Sequence, residues 1–261
     1  MEKSPYNCAI VVPSCDSYED AWSPFFTFFF RYWPDCPFPI YLITETKRYP
    51  DKRVRMLNLG KDNGWANNMF IALDTIPEKY FIYFLEDVYI TKKVDTARII
   101  RLFDLLKKDN VSCLRLFPAP GPDKAYGNDK EIGIIANDAP YRVSTMPSIW
   151  DKEAFKRLLK HGENAWQMEL DGTKRAAQMD ELFLSVWPGD DAMPLFATAI
   201  KKGRWQYDAL RLCKSEGIPV VSARPREGFI EYITRNASYL PVLGGLFRRG
   251  RRWYYASRKK K

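Results

Sequence analysis

Two adjacent carboxylates, Glu86 and Asp87, close an otherwise apolar run, FIYFLEDVYI, at residues 81–90. Phe81 to Leu85 read as a buried strand, and such a strand ends in charge for one of two reasons. Either it has reached solvent, or the charges are held at a rim for a ligand. The second role has a specific chemistry. A hard divalent cation takes oxygen ligands, often bridges a diphosphate and keeps some of its waters, and a carboxylate pair on a rigid strand end suits it. Other polar groups stand in equivalent places. Ser14 and Asp16 follow CAIVVP, Thr44 and Glu45 lie at the end of IYLIT, and Lys61, Asp62 and Asn63 follow VRMLNL.

Other chemistries find little support. The chain has no GxGxxG and no GxxxxGK[ST], so neither a dinucleotide fingerprint nor a phosphate loop is present, and no GxSxG elbow. One histidine, His161, excludes a His-rich metal site; it precedes Gly162 and reads as the end of a helix. Five cysteines (Cys8, Cys15, Cys36, Cys113, Cys213) are odd in number, scattered and without CxxC. They predict neither a disulfide framework nor a zinc site, and a reducing compartment.

The elements that must position these groups alternate. CAIVVP (8–13), IYLIT (40–44), VRMLNL (54–59), the run at 81–85 and VSCLRLF (111–117) read as strands. Ser23-Pro24 reads as the start of a helix through FFTFFFRYW. Residues 64–76 carry apolar side chains at helical spacing, and Asp95 or Thr96 caps a helix to Lys108. PAPGPDKAYGNDKEIG reads as a long irregular stretch, and RVSTMPSI as a further strand. Helices follow at 151–160, capped by Asp151, and at 164–179; ELFLSVW (181–187) is apolar. Residues 204–216 read as an amphipathic helix closed by Gly217, and IPVVSA as a last strand, with the ordered body ending near residue 223. Strand–helix alternation predicts an α/β fold around a mostly parallel sheet covered on both faces. Ligands of such sheets bind beyond the carboxyl ends of the strands, where the polar groups above collect.

Formal charge is +9, but the last fourteen residues, RRGRRWYYASRKKK, hold eight Arg/Lys and no acid, which leaves +1 for the other 247. Basicity confined to a tail argues against a nucleic-acid-reading face spread through the fold. Interleaved with Trp253, Tyr254 and Tyr255, the tail reads as a foot on an anionic membrane or as a solvated terminus. FFTFFF (25–30) and YLPVLGGLF (239–247) fall far short of the ~20 residues that span a bilayer. MEKSPYNCAIVV has no long apolar segment after its charges, so the expectation is a cytoplasmic protein, peripherally attached to the inner face of the membrane.

Four stretches carry a resemblance: VVPSCDSYEDAWSPFFTFFFRYWPDCPFPIYLIT, DNGWANNMFIALDTIPEKYFIYFLEDVYI, YRVSTMPSIWDKEAFKRLLKHGENAWQMELDGTKRA and GRWQYDALRLCKSEGI. Together, over residues 8–217, the chain resembles a GT-A-type glycosyltransferase of the bacterial capsule and O-antigen kind. The resemblance implies a Rossmann-like nucleotide-sugar-binding half (1–117), an acceptor-binding and catalytic half (118–223) and a basic, apolar tail (224–261). It implies a nucleotide-sugar donor, UDP-linked by default, with a hexose or its galactofuranose form, and a glycan or lipid-linked acceptor. Ser14 and Asp16 would face the base and ribose with Thr44 beside them, and Asp62 and Trp65 would close over the nucleotide. Asp87 would take the metal-binding place of the family's D-x-D motif, with Mn2+ or Mg2+ as the cation. Leu85 and Val88 stand where further Asp residues often occur, so Glu86 would contact the ribose or a metal-bound water.

An inverting transferase needs a base for the acceptor hydroxyl, and ENAWQMELDGTKRA supplies candidates. On a helix Trp166 and Glu169 share a face while Asp171 is rotated away. A ring beside a carboxylate suits a sugar, so Glu169 is the expected base and Asp171 the second candidate. Arg175 either neutralises the diphosphate or pairs with Asp171. Trp150 either lines the acceptor pocket or belongs to the core. Two other functions compete. A nucleic-acid or anionic-surface binding module would use the tail alone. A sugar nucleotidyltransferase would need an N-terminal Gly-rich loop, which the chain lacks.

Overall fold

The computed structural model describes residues 6–108, 111–196 and 198–237. The chain forms two compact units, Met1–Ala197 and Thr198–Lys261. This division falls inside the expected second half rather than at residue 117 or 223.

In the first unit β1 (Cys8–Pro13) leads through a 3-10 turn (Asp16–Tyr18) into α1 (Glu19–Tyr32), then β2 (Ile40–Thr44) and β3 (Val54–Asn58). The chain returns through α2 (Trp65–Thr75) to β4 (Tyr80–Tyr83) and the short β5 (Tyr89–Ile90), then α3 (Thr96–Lys108) and β6 (Val111–Arg115). A hairpin, β7 (Lys124–Tyr126) and β8 (Asp129–Ile134), precedes β9 (Ser148–Asp151), α4 (Lys152–Leu158) and α5 (Ala165–Ala176). The unit closes with β10 (Leu182–Val186) and β11 (Leu195–Phe196), which pairs with β5.

Nine strands form one sheet in the order β3-β2-β1-β4-β9-β6-β10-β8-β7. β1 to β4 are mutually parallel, β6 and β10 are parallel, and β9 and β8 run against their neighbours. Strands buried on both faces read as continuous apolar runs, and CAIVVP and YFIY are buried throughout. Ala9, Val11, Tyr41, Ile43, Phe81 and Tyr83 pack with α2, α4 and α5 in one core cluster. On α1 and α3, Phe25 meets Phe84 at 6.0 Å between ring centroids and Phe103 meets Tyr80 at 5.2 Å. The chain moves outward from β1 to β3 and then returns to β4 on the other side of β1. That reversal is the topological switch point where α/β sheets open a crevice.

Several boundaries differ from the sequence reading. α1 begins at Glu19 and takes Pro24 inside it. Trp22, almost wholly buried, draws the earlier turn into the helix, and Glu19 and Asp20 complement its dipole. The stretch expected to be irregular contains the β7–β8 hairpin, whose half-wet strands lack clear alternation. RVSTMPSI is largely a loop, and its strand begins only at Ser148.

The second unit holds β12 (Ile200–Lys201), β13 (Arg204–Trp205), α6 (Tyr207–Ser215) and α7 (Phe229–Ala237). The expected helix at 204–216 is therefore a strand turn followed by α6, closed as expected at Gly217, whose φ of +66° favours glycine. IPVVSA forms no strand, and α7 extends the described chain past residue 223. The basic tail at 248–261 lies outside the described residues.

Candidate active site

The end of β4 is fixed by the switch point. Phe84 N–H still donates to Val11 C=O at 3.0 Å, and the chain then turns, with Val88 N–H donating to Leu85 C=O at 3.1 Å. Glu86 and Asp87 are the two central residues of that turn. Glu86 is only 7% exposed, and a buried carboxylate needs donors. Ser14, just beyond β1, supplies one: its Oγ donates to Glu86 Oε1 at 2.9 Å and accepts from Trp22 Nε1 at 2.8 Å. Ser14 is thus a link between Trp22 and Glu86. Asp87 is half-buried.

Beneath this turn lies the Tyr83 phenol, fully buried and accepting from Trp65 Nε1 at 3.3 Å. Burial raises its pKa well above the ordinary phenol, and the charges of Glu86, Glu169 and Asp87 raise it further. One phenol therefore senses three carboxylates that are up to 83 positions apart in the chain.

On one flank, Asp16 ties down the loop after β2. Its oxygens accept from Thr46 Oγ1 at 2.5 Å, Thr46 N at 3.2 Å and Lys47 N at 3.0 Å, and its own N–H donates to Glu45. Its slight burial favours the neutral form, but these hydrogen bonds win and hold the carboxyl at about 2. Thr44 is buried, donates to Lys47 C=O at 2.9 Å and accepts from Asn58 Nδ2 at 2.8 Å. Asp16 and Thr44 together shape the loop after β2.

On the other flank, Asp62 caps the entry to α2, accepting from Gly64 N–H at 2.8 Å and Asn68 Nδ2 at 3.0 Å. Gly64, at φ +84°, makes the turn that places Trp65 at the first helical position. Trp65 packs against Tyr83 and Phe155, each at 6.5 Å, so it braces the phenol from the side.

The opposite wall is α5, started by an Asn164–Gln167 capping box. Residues 142–145 run against it in the reverse sense: Arg142 Nη1 donates to Ala176 C=O at 2.9 Å, Val143 N–H to Thr173 Oγ1 at 3.0 Å, and Thr145 to Glu169. Both Thr145 N–H (2.6 Å) and Oγ–H (2.8 Å) donate to Glu169 Oε1. The carboxylate is held through one oxygen, Oε1. Trp166, 63% exposed, stands three residues earlier on α5.

Three expected residues stand elsewhere. Asp171 is paired with Lys174 at 2.6 Å on the solvent side, and that ammonium lowers its pKa. Arg175 pairs with Glu163 (2.6 and 2.9 Å) and donates to Leu158 C=O at 2.7 Å. It ties the end of α4 to α5, and its partner is Glu163 rather than Asp171. Trp150 lies wholly in the core, edge-on to Phe155 at 5.0 Å and Phe183 at 5.8 Å, with no face for an acceptor.

Sequence reasoning missed Tyr83, Thr145 and Arg115. Arg115 ends the buried strand β6 and donates to the carbonyls of Pro120 (2.7 Å), Arg142 (2.8 Å) and Tyr141. Burial lowers its pKa to about 10, and its charge acts on Glu169 and Asp123. It holds the loop that carries Thr145. Its signal was present: an arginine inside an apolar strand demands carbonyl partners. Thr145 left no signal, because its role depends on the fold bringing residues 142–145 along α5.

Among the described residues no three His, Cys, Asp or Glu side chains gather as a metal cluster. Divalent cations at phosphate sites are nonetheless commonly held by one or two carboxylates with the phosphates themselves. The Glu86–Asp87 turn fits that sharing and does not fit an all-protein cage.

No protein-family model and no curated protein matches the chain. Among solved structures it is similar to Staphylococcus aureus TarS 1–349, at 13% identity and a TM-score of 0.50, covering 91% of this chain and 73% of that one. It is also similar to GalNAc-T7 crystallised with UDP, GalNAc and Mn2+, at 12% identity and a TM-score of 0.51, covering 90% of this chain and 51% of that one. The shared feature is the fold, a mostly parallel central sheet flanked by helices as in GT-A glycosyltransferases.

Proposed function

We propose that this protein is a glycosyltransferase that moves a sugar from a nucleotide-linked donor to a hydroxyl of a glycan or lipid-linked acceptor. The observation that carries this reading is a GT-A-like sheet whose switch point bears the Ser14-held Glu86–Asp87 turn; the Thr145-held Glu169 acts electrostatically on the same buried Tyr83 phenol. The crevice beyond β1 and β4 takes the nucleotide diphosphate, with UDP favoured because GalNAc-T7, similar in fold, was crystallised with UDP and Mn2+. Asp87, backed by Glu86, would hold a divalent cation jointly with that diphosphate; the cation would neutralise charge on the leaving group.

Glu169 Oε2 accepts the proton of the acceptor hydroxyl as its oxygen attacks the anomeric carbon. The bond from that carbon to the diphosphate oxygen breaks, the nucleotide diphosphate departs, and configuration inverts. Trp166 offers the exposed ring on which the acceptor's C–H face stacks. The donor sugar is a hexose, with galactofuranose included among its forms, and the product belongs to a surface polysaccharide such as capsule or O-antigen. No helix among the described residues is long and apolar enough to cross a membrane, and the basic tail keeps the protein peripheral at the inner membrane face.

A thermal-shift panel of nucleotides and nucleotide sugars, with and without Mn2+, tests the reading. Stabilisation by UDP and a UDP-sugar, together with loss of transfer in Glu169→Gln at unchanged UDP binding, is expected. Absence of any nucleotide response, with salt-sensitive RNA or DNA binding in its place, overturns it and favours the binding-module reading.

A further inference from the structure

The second unit contains a helix with its faces reversed. A surface helix normally turns apolar residues inward and charge outward. On α7 the charged residues are the ones engaged with their own unit. Arg235 pairs with Glu227 at 2.9 Å and with Asp208 at 3.4 Å, Glu231 pairs with Arg204 at 2.8 Å, and the Tyr232 ring lies 5.0 Å from that of Tyr207. Ile230 and Ile233, at 77% and 44% exposure, lie on the side turned away from those pairs, and Phe229, 54% exposed, borders it while its ring packs on Tyr207 at 5.4 Å. Successive helical residues turn by about 100°, which puts these three within one apolar stripe.

What covers such a stripe follows from the chain that continues from it. After α7 comes YLPVLGGLF and then RRGRRWYYASRKKK, with eight cations and no acid in its last fourteen residues. An apolar stripe continued by a polybasic segment is complementary to an anionic lipid surface, whose headgroups attract the cations while its acyl boundary takes the apolar side chains. A protein partner would have to supply the same two features side by side, whereas an anionic bilayer has them everywhere.

We infer that α7 is itself a lipid-docking surface, inserting Ile230 and Ile233, with the exposed edge of Phe229, into the interface of an anionic membrane. This deepens the peripheral membrane placement proposed above and does not depend on the transfer chemistry.

Flotation of the full chain with vesicles tests the inference. The protein should float with phosphatidylcholine vesicles containing phosphatidylglycerol and stay behind with phosphatidylcholine alone. Ile230→Glu, and separately the Phe229→Ser, Ile230→Ser, Ile233→Ser triple variant, should weaken flotation by about tenfold or more with the tail intact. Hydrogen exchange on the unaltered protein supplies a readout that needs no variant: amides and side-chain-adjacent segments of α7 should gain protection only with anionic vesicles. Undiminished flotation of both variants overturns the inference, as does protection of α7 already complete without lipid, which would mean that the chain's own terminal segment covers it. A concentration-dependent dimer lost in the same variants would assign the stripe to a second copy and overturn it equally. None of these measurements uses a sugar donor, so failure here leaves the transferase reading untouched.

Discussion

Glu86 and Asp87 are neighbours in one turn but differ in what surrounds them. Glu86 is buried and held by Ser14, so it is part of the scaffold; Asp87 is half-buried beside it. Two carboxylates in one turn, one of them buried and hydrogen-bonded, are too few ligands for a bare cation. Mn2+ alone is therefore expected to leave the melting temperature unchanged, whereas Mn2+ with UDP raises it, and Asp87→Asn should abolish the joint effect. A rise with Mn2+ alone would mean a complete protein cage. Ser14→Ala acts differently. It leaves the Trp22 N–H and Glu86 Oε1 without their partner, and should cost about 1–3 kcal/mol of stability in urea unfolding. Asp16 gives a pH test. Its folded pKa, about 2, lies below the unfolded value of roughly 3.9. The unfolded state then binds the proton first as pH falls, so Asp16's contribution is full above about pH 4 and fades toward pH 2. Solvent access keeps it small. Asp16→Asn should lower the urea midpoint at pH 7 and match the unaltered protein near pH 2.

The wall of the site is one element, α5, and its anchoring separates positioning from binding. Arg175 joins α5 to the end of α4 through Glu163 and the Leu158 carbonyl, with Glu163 largely buried. Removing the guanidinium leaves that carboxylate without its cation. Arg175→Ala should therefore destabilise the protein by about 2–3 kcal/mol, with UDP affinity in the thermal-shift panel unchanged at saturating stability. A selective loss of UDP binding would instead return Arg175 to the diphosphate. The same element marks the limit of what the residues reveal by themselves. Capping at Asn164 and Asp151, the apolar runs of β1, β2 and β4 and the spacing of α2 are local signals, and those elements stand where periodicity placed them. Glu86 and Asp87 stand in the turn after β4, as the apolar run before them predicted, because a parallel sheet delivers strand ends to one rim. Arg175 and Thr145 could not be read, since i,i+4 spacing offered Asp171 as a partner while the fold offered Glu163. Tertiary packing also moved the start of α1 from Ser23 to Glu19, and the outward apolar side of α7 left no inward stripe for sequence patterning to register.

At the largest scale, the nine-stranded sheet ties the Glu86–Asp87 turn to the loop that carries Thr145, and Trp150 sits between them. It lies on β9, the reversed strand hydrogen-bonded to β4 on one side and β6 on the other, with its ring among Phe155, Phe183 and the core cluster of α2, α4 and α5. β4 carries the Glu86–Asp87 turn, and β6 ends in Arg115, which holds the loop bearing Thr145. A cavity at Trp150 therefore loosens both sides at once, although the ring itself touches no substrate position. Trp150→Ala is expected to cost about 3–5 kcal/mol, read as a fall in the urea midpoint. Trp150→Phe keeps most of the volume and should cost less than half as much. The kinetic pattern distinguishes a core from a pocket. If Trp150 lined the acceptor site, Trp150→Phe would raise the acceptor KM while leaving stability nearly intact. From the core, Trp150→Phe leaves the acceptor KM unchanged, and any lost activity follows the fraction unfolded, recovering as temperature is lowered toward the stability maximum.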